Sequence, residues 1–238
     1  MVLMLVGRQA VAMFTLHCLG GLCNRLQAVL SYRSLHRPLI VEWSDLVQAG
    51  GHFLDAFEPL EGVEFRDGPN WPVTHHGGQM TIGEVVADNG WCPGAPKAWL
   101  NTYRDLKLRP HLRERLIKPP YSAIHVRRTD HIPFAMGMGK LTVDAEFRAW
   151  CDYTPGPIFI ATDNGTTQRE FVSYLGERAI IQAPIPEHAN QNLHDHRNTD
   201  IGSAAVDLFI CAGAEKFKGT PLSSFSRTIE HLHQLGVT

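Results

Sequence analysis

The stretch that most constrains this chain is Ser122 to Asp130, SAIHVRRTD. Ala123 to Val126 reads as a short buried strand that runs straight into two arginines and an aspartate. After it, apolar runs alternate with helix-periodic ones. Helices are expected over Val143–Trp150, Thr167–Leu175, Ile201–Ala212 and Ser224–Leu235. Strands are expected at Pro157–Ala161, Arg178–Gln182 and Lys216–Gly219, with His131 to Lys140 as a loop rich in glycine and methionine. Strands alternating with helices imply a mostly parallel sheet with covered faces, an α/β fold.

The first half repeats the pattern less cleanly. Phe14 to Leu19 reads as a strand, Gly20 and Gly21 as a turn, and the run through Tyr32 as a helix. Glycines let backbone approach a ligand, and a helix start points amide donors at it. The turn lacks the spacing of a dinucleotide fingerprint or a P-loop, so a plain tight turn also accounts for it. Pro38–Trp43 reads as a second strand, His52–Phe57 as a short helical piece and Val63–Phe65 as a short strand. Turn formers dominate Asp67 to Gly78, and Thr81–Ala87 has a weak helical pattern. Residues 109–121 hold a basic helical turn ended by Pro119-Pro120. They read as a linker between residues 1–118 and 119–238, with 1–12 as an extension before Met13.

Composition sets limits on function. The chain has 238 residues, enough for one large domain or two small ones. A net charge of −2 gives no global basic field, so nucleic acid is not the expected main partner. The five cysteines are spread without a CxxC pair, which argues against a zinc ribbon or a disulfide framework. A reducing, cytoplasmic setting and no membrane span are expected. The thirteen histidines, including His75-His76 and His194-Asp195-His196, read as loop residues, and no metal site is expected.

Chemistry-bearing residues gather at the expected strand ends. Arg127, Arg128 and Asp130 follow one strand, and Asp163 and Asn164 follow the next. Arginine grips phosphate well, because its planar fork donates paired hydrogen bonds and keeps its charge. Open α/β sheets bind ligands at strand C-terminal ends. A surface ion-pair network would equally explain two arginines alone. Ser223, Ser224 and Ser226 open the last helix, as anion donors or as simple caps. Asp207 lies among apolar helix neighbours, where a carboxylate needs a partner: a ligand group or a core arginine. Together these suggest a pocket for a nucleoside diphosphate.

Four blocks resemble the fucosyltransferase superfamily, which includes α1,6-fucosyltransferases and protein O-fucosyltransferases. They are Gly20-Gly21-Leu22-Cys23-Asn24-Arg25-Leu26, His125 through Asp130, Ala161-Thr162-Asp163, and Asp207 through Ser223-Ser224-Phe225-Ser226-Arg227. The second block is specific and the others are individually weak. The resemblance spans residues 13–238 and is strong in the second half. It implies a GT-B fold of two Rossmann-like domains facing across a cleft: an acceptor-side domain over 1–118 and a nucleotide-sugar domain over 119–238. It also implies a glycosyltransferase moving a sugar, fucose by resemblance, from a GDP-linked donor to a hydroxyl without metal or other cofactor. Arg127 then holds the β-phosphate. His125, Asp207, Ser223 and Ser224, with Phe225 in the same block, contact the nucleotide. Asn24, in the block with Gly20, Gly21 and Arg25, reaches the donor, Arg128 and Asp130 lie near the sugar, and Asp163 lines the nucleoside or shapes the loop.

The chain departs from the family in two ways. It is short, and the loop after Asp130 reads His131-Ile132-Pro133-Phe134-Ala135, where core-fucosylating relatives carry a lysine and then a glutamate. The base is therefore open among His131, Asp130 and Asp45. Two other readings remain: transfer to an unusual acceptor such as a modified DNA base, and nucleotide binding without catalysis.

Overall fold

The structure, a computed structural model, describes residues 14–43, 49–68, 84–87, 92, 94–128, 131–186 and 199–237. The first half supplies β1 (Phe14–Cys18), α1 (Leu22–Arg33), β2 (Leu39–Trp43), α2 (Phe53–Ala56), β3 (Val63–Asp67) and β4 (Glu84–Ala87). A 3-10 segment at Lys97–Asp105 and a short α3 (Pro110–Arg113) lead into the second half. There follow β5 (Ser122–Val126), α4 (His131–Gly137), α5 (Asp144–Tyr153), β6 (Ile158–Thr162), α6 (Gly165–Leu175), β7 (Ala179–Ile180), α7 (Ile201–Gly213), β8 (Phe217–Lys218) and α8 (Ser224–Gln234).

Each half builds a four-stranded, wholly parallel sheet, in the orders β3-β2-β1-β4 and β7-β6-β5-β8. The fold is the α/β kind with parallel sheets that the alternation predicts. Parallel pairing brings all C-terminal ends of a sheet to one edge. Gly20 and Gly21 leave that edge in the first sheet, and Arg127 and Asp163 in the second.

Period-two alternation explains the packing. Ala123, Phe159 and Ala161 join a large apolar cluster with Leu16, Leu26, Trp43, Phe209 and Leu232, drawn from both halves. Their strand neighbours Ile124, Val126, Ile158 and Ile160 face the other way, onto Phe147 of α5 and Phe171 of α6. Every residue of β5 and β6 is therefore buried; β6 reads as a continuous apolar run, and β5 buries the polar Ser122 and His125 with its apolar residues. Each large side chain so buried contributes roughly 1.5–3 kcal/mol.

Two stretches differ from their sequence reading. Glu84–Ala87 is a strand paired with β1, not a helical turn; Val85 and Val86 are β-branched and suit a sheet. His131–Gly137 is helical, not a loop, and its glycines fall at the end of the helix rather than inside it; Gly139, just beyond, has φ +61°. All five cysteines are buried and free. Among the described residues, no helix is long and apolar enough to cross a membrane.

Candidate functional site

Strand β5 is central in its sheet, so its end is flanked on both sides. Toward β6 lies Asp163. Its carboxylate accepts from the Arg128 amide at 2.7 Å and pairs with the Arg127 guanidinium at 3.0 Å. Arg128 turns its own guanidinium onto Asp144 at the start of α5. The two arginines thus leave one strand end in different directions, each steered by its own carboxylate. Asn164 caps α6 by accepting from the Thr167 amide at 2.8 Å. It fixes the turn that carries Asp163.

Toward β8 lies Thr220. Its hydroxyl donates to the His125 carbonyl at 2.8 Å and accepts from the Arg127 amide at 2.9 Å. The Thr220 amide donates to the Ser226 hydroxyl at 2.9 Å, and the same hydroxyl meets His125 Nδ1 at 2.7 Å. His125 also stacks on Phe225, ring centroids 4.7 Å apart. Burial, with the nearby charge of Arg127, pushes the His125 pKa down to about 3, so the ring is neutral. Gly219 makes this closure fit: a Cβ there would lie 2.7 Å from Ser226 Cβ.

The turn Thr220-Pro221-Leu222-Ser223 then enters α8. Ser223 caps the helix, its hydroxyl accepting from the Ser226 amide at 3.4 Å. The Pro221 carbonyl meets His131 Nε2 at 2.9 Å. A carbonyl only accepts, so Nε2 carries the proton, and in the neutral ring the lone pair is on Nδ1. The arginine pair, the start of α8 with Ser223 and Ser224, and His131 are therefore tied to one another through Thr220 and Pro221. The geometry brings to one sheet edge a cationic fork at the end of β5 and, through the turn that holds the Arg127 amide, the start of α8, groups that suit a phosphate.

Asp207 belongs to another network. It accepts from the Gln182 amide. The Gln182 carbonyl takes Arg115 at 2.6 Å, and Arg115 also reaches the Ser203 hydroxyl at 3.1 Å. Burial in the apolar α7 raises the Asp207 pKa to about 7. In the first half, Gly20 has φ +81° and Gly21 caps α1. Arg25 is fully buried, its Nε donating to the Gly20 carbonyl at 2.6 Å and its guanidinium lying over the Trp43 ring. Arg25 thus shapes the glycine turn from beneath, and Asn24 stands half-buried on the first turn of α1. Asp130 and Asp45 lie outside the described residues, as do the His75-His76 and His194–His196 runs. Sequence reasoning missed Thr220, Asp144 and Gln182. A threonine just after a strand was the available signal for the first; the other two carry none. Among the described residues, no group of three or more histidines, cysteines or carboxylates stands together as a metal site.

No protein-family profile matches the chain, and no curated protein matches it in sequence. Solved structures do match. The α1,6-fucosyltransferase NodZ soaked with GDP-fucose superposes with a TM-score of 0.50 at 16% identity, covering 92% of each chain. Apo POFUT1 superposes with a TM-score of 0.61 at 11% identity, covering 94% of this chain and 95% of the other. POFUT1 in complex with GDP-fucose gives 0.58 at 12%, over 94% and 95%. The chain has the fold of these GT-B fucosyltransferases.

Proposed function

We propose that this chain is a glycosyltransferase that moves a sugar, fucose, from a GDP-linked donor to an acceptor hydroxyl without a metal ion. The observation that carries the reading is Arg127 at the end of β5, its guanidinium held by Asp163 and its amide by Thr220 in the turn that enters α8, in a chain with the fold of fucosyltransferases. In this reading the acceptor oxygen attacks the anomeric carbon as the bond from that carbon to the β-phosphate oxygen breaks. The bonding pair leaves with the diphosphate. Arg127 and the free amides of α8 offset the charge that grows there, the role a divalent cation plays elsewhere. The acceptor proton goes to His131 Nδ1, whose ring the Pro221 carbonyl holds in the required tautomer.

Thermal unfolding with GDP, UDP, ADP and GMP, with and without Mg²⁺, tests the donor pocket. A ligand bound only by the folded state raises Tm. The expected result is a rise with GDP that is independent of Mg²⁺ and absent in Arg127→Ala. No response to any nucleotide would sink the reading. A rise that requires Mg²⁺ would overturn its metal independence.

A further inference from the structure

Among the described residues, Leu222 is the one non-glycine residue with a positive φ, +63°. It sits in the turn Thr220-Pro221-Leu222-Ser223, closed by the Ser223 amide on the Thr220 carbonyl at 3.3 Å. Proline second and a positive φ third describe a turn whose third position ordinarily belongs to glycine or asparagine. A branched side chain there is strained. The leucine is 39% exposed, so burial offsets only part of that cost. Every other residue of the turn serves the site. Thr220 fixes the Arg127 amide, the Pro221 carbonyl fixes His131, and Ser223 caps α8. A second exposed apolar group stands on the same side of α4 as His131. Phe134, one helical turn on and 6.0 Å from the His131 ring, is 54% exposed.

We propose that Leu222, with Phe134, forms an apolar wall that recognises the donor sugar, selecting a 6-deoxy sugar over its 6-hydroxylated counterpart. The proposal rests on the GDP-sugar reading above. A methyl group on the sugar ring loses water against these carbons and gains contact. A hydroxymethyl group at the same place brings a hydroxyl that loses water without a partner.

Matched donors test this: GDP-fucose against GDP-L-galactose, which differs only by that hydroxyl. Titration calorimetry of wild type is expected to favour GDP-fucose by roughly tenfold to a hundredfold. In Leu222→Gly the ratio falls to within about threefold of unity, and Tm rises by about 2–4 °C as the strain is relieved. Leu222→Ala keeps the strained conformation, so its ratio falls without the rise in Tm. Equal affinities in wild type, a ratio that survives in both variants, or a Leu222→Gly variant with lowered Tm would each overturn the proposal. GDP alone is titrated into wild type first: no binding there removes the donor reading itself, whereas GDP binding without sugar preference removes only the role of Leu222.

Discussion

Asp163 holds the Arg127 guanidinium at 3.0 Å from the neighbouring strand, and the same carboxylate takes the Arg128 amide. It therefore orients the arginine from the β6 side. Arg127→Ala is expected to weaken GDP binding by about a hundredfold with little change in stability, and Arg127→Lys by about tenfold, because lysine keeps the charge but not the fork. Asp163→Ala strips the Arg128 amide of its acceptor and is expected to cost about 1–3 kcal/mol in urea unfolding. Asp163→Asn keeps an acceptor and is expected to cost less. Calorimetry with GDP on the same four proteins checks the orientation role; wild-type affinity in Asp163→Ala would refute it.

Gly219 is there for space. Its Cβ would meet the Ser226 hydroxyl at 2.8 Å and the Phe217 ring at 3.0 Å as well as Ser226 Cβ. Gly219→Ala is expected to lose about 1–3 kcal/mol in urea unfolding, through overpacking and displacement of the Ser226 hydroxyl from His125 and the Thr220 amide. The double variant with Ser226→Gly is expected to lose less than the two single changes added together, because the clash is gone. Additive losses would mean that the closure around Ser226 tolerates the methyl group.

His131 is placed by a bond that leaves Nδ1 as the accepting nitrogen. His131→Ala is expected to lower kcat by about a hundredfold or more while changing GDP affinity little. A kcat that stays near wild type in His131→Ala would assign the base elsewhere.

How much of this was legible depends on the kind of interaction. Strand β6 announces itself, because burial on both faces leaves the apolar run Ile158–Ala161, and β5 does so through Ala123, Ile124 and Val126 around His125. The arginines after β5 stand out because charge follows that strand directly. Strand β4 was hidden, since a four-residue strand carries too few positions for a period. Helix α4 was hidden by its glycines and methionines, although they fall where a helix ends and where its surface is exposed. The Asp163–Arg127 and Asp144–Arg128 pairs could not be read, because each joins residues brought together only by parallel pairing and helix placement. Leu222 carried no sequence signal at all: its backbone conformation, not its identity, is the unusual feature.

His125 and Asp207 give the fold two opposed pH dependences. Burial holds the His125 pKa at about 3 against an ordinary 6.5, so the unfolded chain binds the extra proton between those values. Its contribution is whole above pH 6.5 and is lost as pH falls toward 3, on the order of 5 kcal/mol. Asp207 behaves oppositely. Its pKa is raised from 3.8 to about 7, so the folded state holds the proton; stability is present below pH 4 and is lost as pH rises through 7. The windows overlap, and in wild type the two slopes offset each other. Substitution separates them. Asp207→Asn removes the loss at rising pH, so its Tm is expected to gain on wild type from pH 4 to 7 and to run parallel above. His125→Gln is expected to be most destabilised above pH 6.5, with the gap narrowing as the solution is acidified. Calorimetric Tm across pH 4 to 8 reads both. Curves parallel to wild type throughout would mean that neither group titrates differently in the folded chain.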